Sequence, residues 1–312
     1  MGAARGEAGA ADTAATTSSE TPCGFLVLDK PAGLTSHACV SRVRRAYGLK
    51  RVGHGGTLDP AVTGVLPIAL GPATRLLPYL SGDKAYRGVI QLGLTTSSDD
   101  LEGEVLERRS LPSLSAEAIE QALQGFRGSI LQRPPQVSAV HVNGERAYAR
   151  ARRGEQLELP ERPVTLHRLE LLGWDPARAE LELTVHCSAG TYIRSLARDL
   201  GERLGCGGCL ARLRRTAALG FSLEQAVPLD ALEQTPPPAL LSPLQPLADL
   251  AQHQLTGDDL AGWRCGRIQR GRDGLAEGSP VVVVGPDGNL AGMASALGDG
   301  QLQPRLVLQA HG

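Results

Sequence analysis

A chain of 312 residues with a formal net charge of −1 can bury the core of one large domain plus a smaller one, and it is not a uniformly basic coat for nucleic acid. No apolar run approaches the ~20 residues of a membrane span, and Glu7 and Asp12 interrupt the first 22 residues where a signal peptide needs an unbroken apolar core, so 1–22 reads as a disordered leader. Six cysteines without a disulfide framework fit a reducing, cytoplasmic setting; Cys206 and Cys209 have CxxC spacing but no second ligand pair, and read as small buried residues.

The elements begin at Gly24-Phe-Leu-Val-Leu-Asp29, a buried-strand pattern that stops at Lys30-Pro31. A helix follows, with Ser36 as N-cap, a stripe of Val40, Val43 and Tyr47, and Gly48 as its stop. RVGHGGTLDPAVTG (51–64) is a glycine-rich turn carrying one histidine and one aspartate, and it runs into a strand from Val65 to Leu70. Asp-Pro is a common turn dipeptide, so Asp59 by itself does not separate a turn from a site. Tyr86 to Leu92 alternates as a strand, and Ser115 caps a helix whose stripe is Ile119, Ala122, Leu123 and Phe126.

From about 127 to 155 the chain is rich in Pro and Arg and lacks a period. Strands are expected at 164–172 and 180–187. A helix from Thr191 to Leu204 turns Ile193, Leu196, Leu200 and Leu204 inward and Arg194, Arg198 and Arg203 outward, and Gly205 stops it. Residues 235–248 read as a linker. Residues 249–312 read as a β-rich tail with a hairpin at Val281–Val284 and Leu290–Ala294 and a strand at Pro304–Leu308. Lys30, Lys50 and Lys84 are the only lysines among 32 basic residues. Arginine's planar fork suits phosphate contacts, but a GC-rich genome produces the same bias.

Five motifs in order carry a resemblance: LDKPAGLTSH (28–37), VGHGGTLDPAVTGVLPI (52–68) with GPATR, DKAYR (83–87), QRPPQVSA with AYARAR (132–152), and CSAGTYIRSLARDLGERLGCG with LRRT (187–216). Together they resemble the TruB family of tRNA pseudouridine synthases. The resemblance implies an α/β (α+β) pseudouridine synthase fold: a mixed, largely antiparallel sheet over residues 23–234, with a small PUA-like β-barrel at 249–312. It implies an isomerase that makes pseudouridine at position 55 in the T-loop of tRNA, a monomer that uses no cofactor and no metal and has the T-arm stem-loop as partner.

Residue by residue, the resemblance makes Asp59 the essential carboxylate. Arg194 is its ion-pair partner, and Tyr86 stacks on the uracil. Tyr192 and Leu213 line the pocket, Lys30 supports the catalytic loop, and His54 is the wedge that fills the stack when the base is flipped out. Arg146, Arg150 and Arg152, and a second cluster of Arg214 and Arg215 beside Arg212, are expected to meet phosphate. Each has a plainer reading. Arg194 could be a helix-surface arginine, Tyr86 a core tyrosine, Leu213 plain core, His54 a solvated loop residue, and the arginines a solvated face. The chain departs from the family pattern at Gly55, at Ala61-Val62, and at His141, where a lysine is usual. A non-catalytic tRNA-binding or tRNA-folding protein is the chief rival; an N-glycosidase would need a second carboxylate in opposition.

Overall fold

The computed structural model describes residues 21–138, 140–142, 144–151, 153–155, 157–271 and 273–308, with Val142 described by its backbone alone. Most of the expected leader and Arg152 therefore lie outside the described residues. The chain first forms β1 (Gly24–Lys30), an almost entirely buried run that pairs antiparallel with β3 (Thr63–Leu70) from Gly24↔Leu70 to Lys30↔Gly64. Between them come α1 (Ser36–Tyr47) and β2 (Val52–His54), the latter paired to the end of β3. The cap of α1 is Thr35, whose side chain accepts from the Ala38 amide; Ser36, the expected cap, is buried and bonded elsewhere.

β4 (Lys84–Leu92) is followed by a short hairpin, β5 (Leu94–Thr96) and β6 (Val105–Arg108), and by α2 (Ala116–Gln124). The segment expected to be irregular is locally ordered. It starts with β7 (Gly128–Gln132), makes a small ladder of β8 (His141–Val142) and β9 (Glu145–Arg146), and ends in α3 (Ala147–Ala151), where Ala147 packs with Leu157 and Leu159. β10 (Arg162–Asp175), β11 (Glu180–Cys187), α4 (Ile193–Arg203) and β12 (Gly208–Ala218) follow. Gly205, at φ 76°, closes α4 as expected. The short strands β13 (Phe221–Ser222) and β14 (Val227–Pro228) complete this part of the chain.

The main sheet runs β14-β1-β3-β12-β4-β11-β10-β7, with only β14–β1 and β3–β12 parallel. Its first half packs Leu26, Leu28, Leu66 and Ile68 against Val40 and Val43 of α1. Its second half packs Ile90, Leu166, Leu181 and Leu183 against α2 and α4. Strand β12 was not legible in sequence, and it is the strand that joins the halves. At Gly64, φ is 102°, and an added Cβ would stand 2.1 Å from the Arg215 carbonyl oxygen. Only glycine lets the strands close there.

The tail contains β15 (Ala251–Gln254), α5 (Gly257–Arg264), β16 (Gln269–Arg270), β17 (Pro280–Val284), β18 (Leu290–Ala296) and β19 (Gln301–Val307), in one sheet ordered β15-β17-β18-β19-β16. The expected hairpin and last strand are β17, β18 and β19; β15 and α5 carried no clear pattern in the sequence. Val282, Val284, Met293 and Leu306 share one buried cluster with Phe25, Val27, Val65 and Ala69, so the tail covers the face of β1 and β3 that α1 leaves open. Leu241, within the expected linker, exchanges both backbone hydrogen bonds with Phe25 at 3.0 and 2.8 Å. No helix among the described residues is long and apolar enough to cross a membrane.

Gly64→Ala should destabilise the protein by about 3 kcal/mol, through strain at positive φ and the clash with β12. Urea unfolding of the purified variant measures this, and an unchanged midpoint would mean that the junction is less constrained than its geometry requires.

Candidate active site

The loop ahead of β3 is braced on both sides of Asp59. Ser36 Oγ accepts from the Leu58 amide at 2.8 Å and donates to the Leu58 carbonyl at 3.1 Å. Lys30 is completely buried, and its Nζ donates to the carbonyls of Pro31, Leu34 and Pro60 at 2.9, 2.7 and 3.0 Å. The Gly33 amide also donates to the Pro60 carbonyl at 2.9 Å. The element KPAGLTSH is thus a cradle for residues 58–60. Burial lowers the Lys30 pKa, with the nearby Arg215 cation adding to the effect and Cys39 and Asp59 opposing it. The Asp59 side chain itself stays 45% exposed.

Arg194 is 7% exposed, not outward-facing as helical polarity suggests. Its Nη2 lies 3.1 Å from Asp59 Oδ2 and donates to the Val137 carbonyl at 2.9 Å. Its Nη1 donates to the Ser98 carbonyl at 3.0 Å, and Asp100 lies 3.7 Å from its Nε. A buried guanidinium is tolerable when its donors are satisfied in this way. The first turn of α4 is tied to QRPP by Gln132, which receives the Tyr192 amide at 2.8 Å and donates to the Tyr192 carbonyl at 3.1 Å. Ser195 Oγ donates to the Arg133 carbonyl. Gln132, Ser36 and Asp100 were missed as site residues; the first two stand inside quoted motifs, which was the available signal.

Tyr86 lies on β4 directly across from Arg215 of β12 and is 7% exposed. Burial, partly offset by the Arg215 cation and its hydrogen bond, pushes the Tyr86 phenol up to about 12, so the hydroxyl stays protonated at neutral pH. Leu213 is half-buried and touches the clusters of both sheet halves, and Tyr192 is half-buried. His54, at the end of β2, is half-buried, and its Nδ1 has no hydrogen-bond partner. Burial, then the Arg215 cation with a smaller part from His37, lowers its pKa, which leaves a planar, uncharged ring at neutral pH. At Gly55 beside it a Cβ would stand 2.0 Å from Leu219 Cδ1, so a larger residue there requires the Leu219 side chain to move.

The two expected phosphate clusters fare differently. Arg146 is exposed, and Arg150 is half-buried and pairs with Glu155 at 2.7 Å. Arg214 forks onto Asp29 at 2.9 and 2.7 Å, and Arg212 forks onto Glu180. Arg215 corrects the expectation: it is fully buried and donates to the carbonyls of Val65, Gly56 and Thr57, so it is no surface phosphate contact. Bulges on either side, at Leu210/Arg212 and Arg215/Ala217, turn its side chain inward. Among the described residues no group of three or more His, Cys, Asp or Glu is placed to hold a metal ion.

Residues 44–193 match the model of the TruB family pseudouridylate synthase N-terminal domain, and 194–247 match that of the tRNA pseudouridylate synthase B C-terminal domain. The chain belongs to the TruB family. The boundary between the two family models falls within the first turn of α4, immediately before Arg194. A tRNA pseudouridine synthase B of Parasynechococcus marenigrum (strain WH8102) is 67% identical over 93% of this chain and 99% of its own. One from Synechococcus sp. (strain WH7803) is 62% identical over the same shares. In a Cbf5-Nop10-Gar1 complex, a chain with 25% identity matches 91% of this TruB-family protein and 83% of its own length with a TM-score of 0.71. The archaeal box H/ACA sRNP Nop10-Cbf5 complex gives 25% identity and 0.68 over 91% and 85%. The fold is that of the pseudouridine synthases, with a PUA-like half-barrel at its C-terminal end.

His54 gives this TruB-family site a pH signature. Its folded pKa is below the ordinary 6.5, so between the two values the unfolded chain binds the proton more readily. The contribution is fully present above about 6.5 and is lost as pH falls from there through the folded value. His54→Ala should therefore flatten part of the acid-side loss of stability, read by urea unfolding at a series of pH values. An identical slope in both proteins would show that His54 is not shifted.

Proposed function

We propose that the protein is a tRNA pseudouridine synthase that isomerises uridine 55 in the T-loop of tRNA, with Asp59 as its catalytic carboxylate. The observation that carries this reading is the braced, half-exposed Asp59 held 3.1 Å from the buried Arg194 and embedded in the family's motif. The names of relatives at 67 and 62% identity support tRNA pseudouridylation.

The reaction breaks the N1–C1′ bond of the uridine, turns the uracil, and joins C5 to C1′; the C5 proton leaves and N1 gains one. Substrate and product are isomers, so neither water nor an oxidant enters the balance. Asp59 acts at the C1′ side of the flipped nucleotide, and Arg194 aims it. Tyr86 supplies a protonated phenol and a ring face for the uracil, between Leu213 and Tyr192 at the pocket wall. A base must leave its stack to be reached, at a cost of a few kcal/mol, and the neutral His54 ring is suited to fill the gap. Residues 23–234 form the catalytic unit in this reading and 249–312 extend the RNA contact. Arg146, Arg150, Arg152 and Arg214 supply phosphate contacts, and one copy of the chain, acting in the cytoplasm, suffices.

A T-arm hairpin carrying tritium at uridine C5 tests the proposal, because joining C1′ to C5 expels that hydrogen. The wild type should release tritium and form pseudouridine at position 55. Asp59→Asn should bind the hairpin with a rate lower by ~10⁴-fold, the scale on which removing one catalytic carboxylate acts. Tyr86→Phe should bind normally and turn over roughly 10²-fold more slowly. Near-normal release by Asp59→Asn would sink the carboxylate assignment. Binding by wild type without release would leave a non-catalytic RNA-binding protein, and free uracil would indicate hydrolysis.

A further inference from the structure

Arg215 is a second buried arginine in the site, and its contacts differ from those of Arg194. It is completely buried, and the partners of its guanidinium are all neutral. Nε donates to the Val65 carbonyl at 2.7 Å, Nη2 to the Gly56 carbonyl at 3.1 Å, and Nη1 reaches the Thr57 carbonyl at 3.5 Å. The same side chain hydrogen-bonds Tyr86. Gly56 and Thr57 lie three and two residues before Asp59, Val65 lies in the buried part of β3, and Tyr86 belongs to β4. Burial lowers the arginine's pKa, but arginine starts so high that it stays charged at neutral pH.

A buried cation bonded to neutral groups is costly, and a hydrophobic residue would usually serve packing better. What an arginine adds is geometry. Its five donors lie in one plane, so a single rigid group can grip several acceptors at fixed separation. Here the acceptors belong to the two pieces that must close around a flipped uridine, the loop carrying Asp59 and the strand carrying Tyr86. Arg215 and Tyr86 are opposed across β12 and β4, and Arg215 also stands opposite Gly64 on β3, where strand spacing leaves no room for a Cβ.

We propose that Arg215 is a positioning residue for catalysis: its guanidinium bridges the Gly56–Thr57 backbone and the Tyr86 hydroxyl, and so sets the spacing of Tyr86 from Asp59. This rests on the isomerase reading given above. Arg215 does not touch substrate and transfers no proton. Its effect falls on the rate of the bound complex and not on RNA affinity. Displacing a reacting group by about 1 Å costs ~10²-fold in rate.

The test uses the full chain and two independent readouts. Arg215→Lys keeps the charge, but a single ammonium cannot reproduce the planar grip on all the acceptors. Single-turnover tritium release from the C5-labelled hairpin should fall by ~10²-fold with hairpin Kd unchanged. In the Tyr86→Phe background, where the shared hydrogen bond is already absent, Arg215→Lys should cost a much smaller factor. A loss of the same factor in both backgrounds, or a change confined to Kd, would overturn the proposal, because a general packing defect acts without regard to the hydroxyl. The second readout is amide hydrogen exchange over 55–59, which Arg215→Lys should speed and which needs no activity. If wild type releases no tritium, the isomerase reading fails, whereas unchanged exchange over 55–59 would overturn the bridging claim. Should Arg215→Lys not fold, Tyr86→Phe is read the same way: it should speed exchange over 55–59 through the loosened guanidinium, and unchanged exchange there would also overturn the claim.

Discussion

The two halves of the sheet meet at a parallel contact only two residues long, Arg214↔Thr63 and Arg215↔Gly64. On one side lie β1, β3 and α1, which own the loop carrying Asp59; on the other lie β4, β11 and α4, which own Tyr86 and Arg194. The site exists because β12 holds these halves together, antiparallel to β4 and parallel to β3. Gly64 permits the close approach, since a Cβ there would overlap the Arg215 carbonyl. A short contact, closed at a residue without a side chain, therefore positions groups drawn from stretches of chain more than a hundred residues apart.

Around that junction the protein uses buried cations to grip backbone carbonyls. Lys30 holds Pro31, Leu34 and Pro60; Arg215 holds Gly56, Thr57 and Val65; Arg194 holds Ser98 and Val137 as well as Asp59. A hydrogen bond from a charged donor contributes about 1.5–3 kcal/mol, more than a neutral one, and the gain offsets the desolvation of each cation. The result is a loop with few ways to move and one carboxylate that remains open to solvent. Glycines at 56 and 64, at φ 114° and 102°, supply the freedom of backbone that this bracing needs, and Leu219 fills the space beside Gly55.

The surface charge is more tempered than the arginine content suggests. Arg150, Arg153, Arg212 and Arg214 all have carboxylate partners on the protein. Exposed pairs of this kind contribute little to stability. Such pairs can exchange a carboxylate for another anion at small cost, and a near-neutral chain can in this way present local positive charge. Binding by such contacts weakens as salt rises.

Much of this was legible beforehand. Residues 24–29, 86–92 and 180–187 have patterns that fit buried or half-buried strands, and Ser115, Gly48 and Gly205 mark helix ends by their own chemistry. The motifs named the family, which the matches over residues 44–193 and 194–247 bear out. What local pattern could not supply was β12. Its bulges break the period of two, so LARLRRTAA does not alternate, and Arg215, polar in sequence, lies wholly inside. Helical polarity likewise put Arg194 outside, although its donors find Asp59 and two carbonyls within. Sequence alone determined which residues were available and where a clear period made strand or helix, since those follow from neighbours along the chain. Tertiary structure decided which charged groups are buried, because burying a cation depends on acceptors that only distant segments provide.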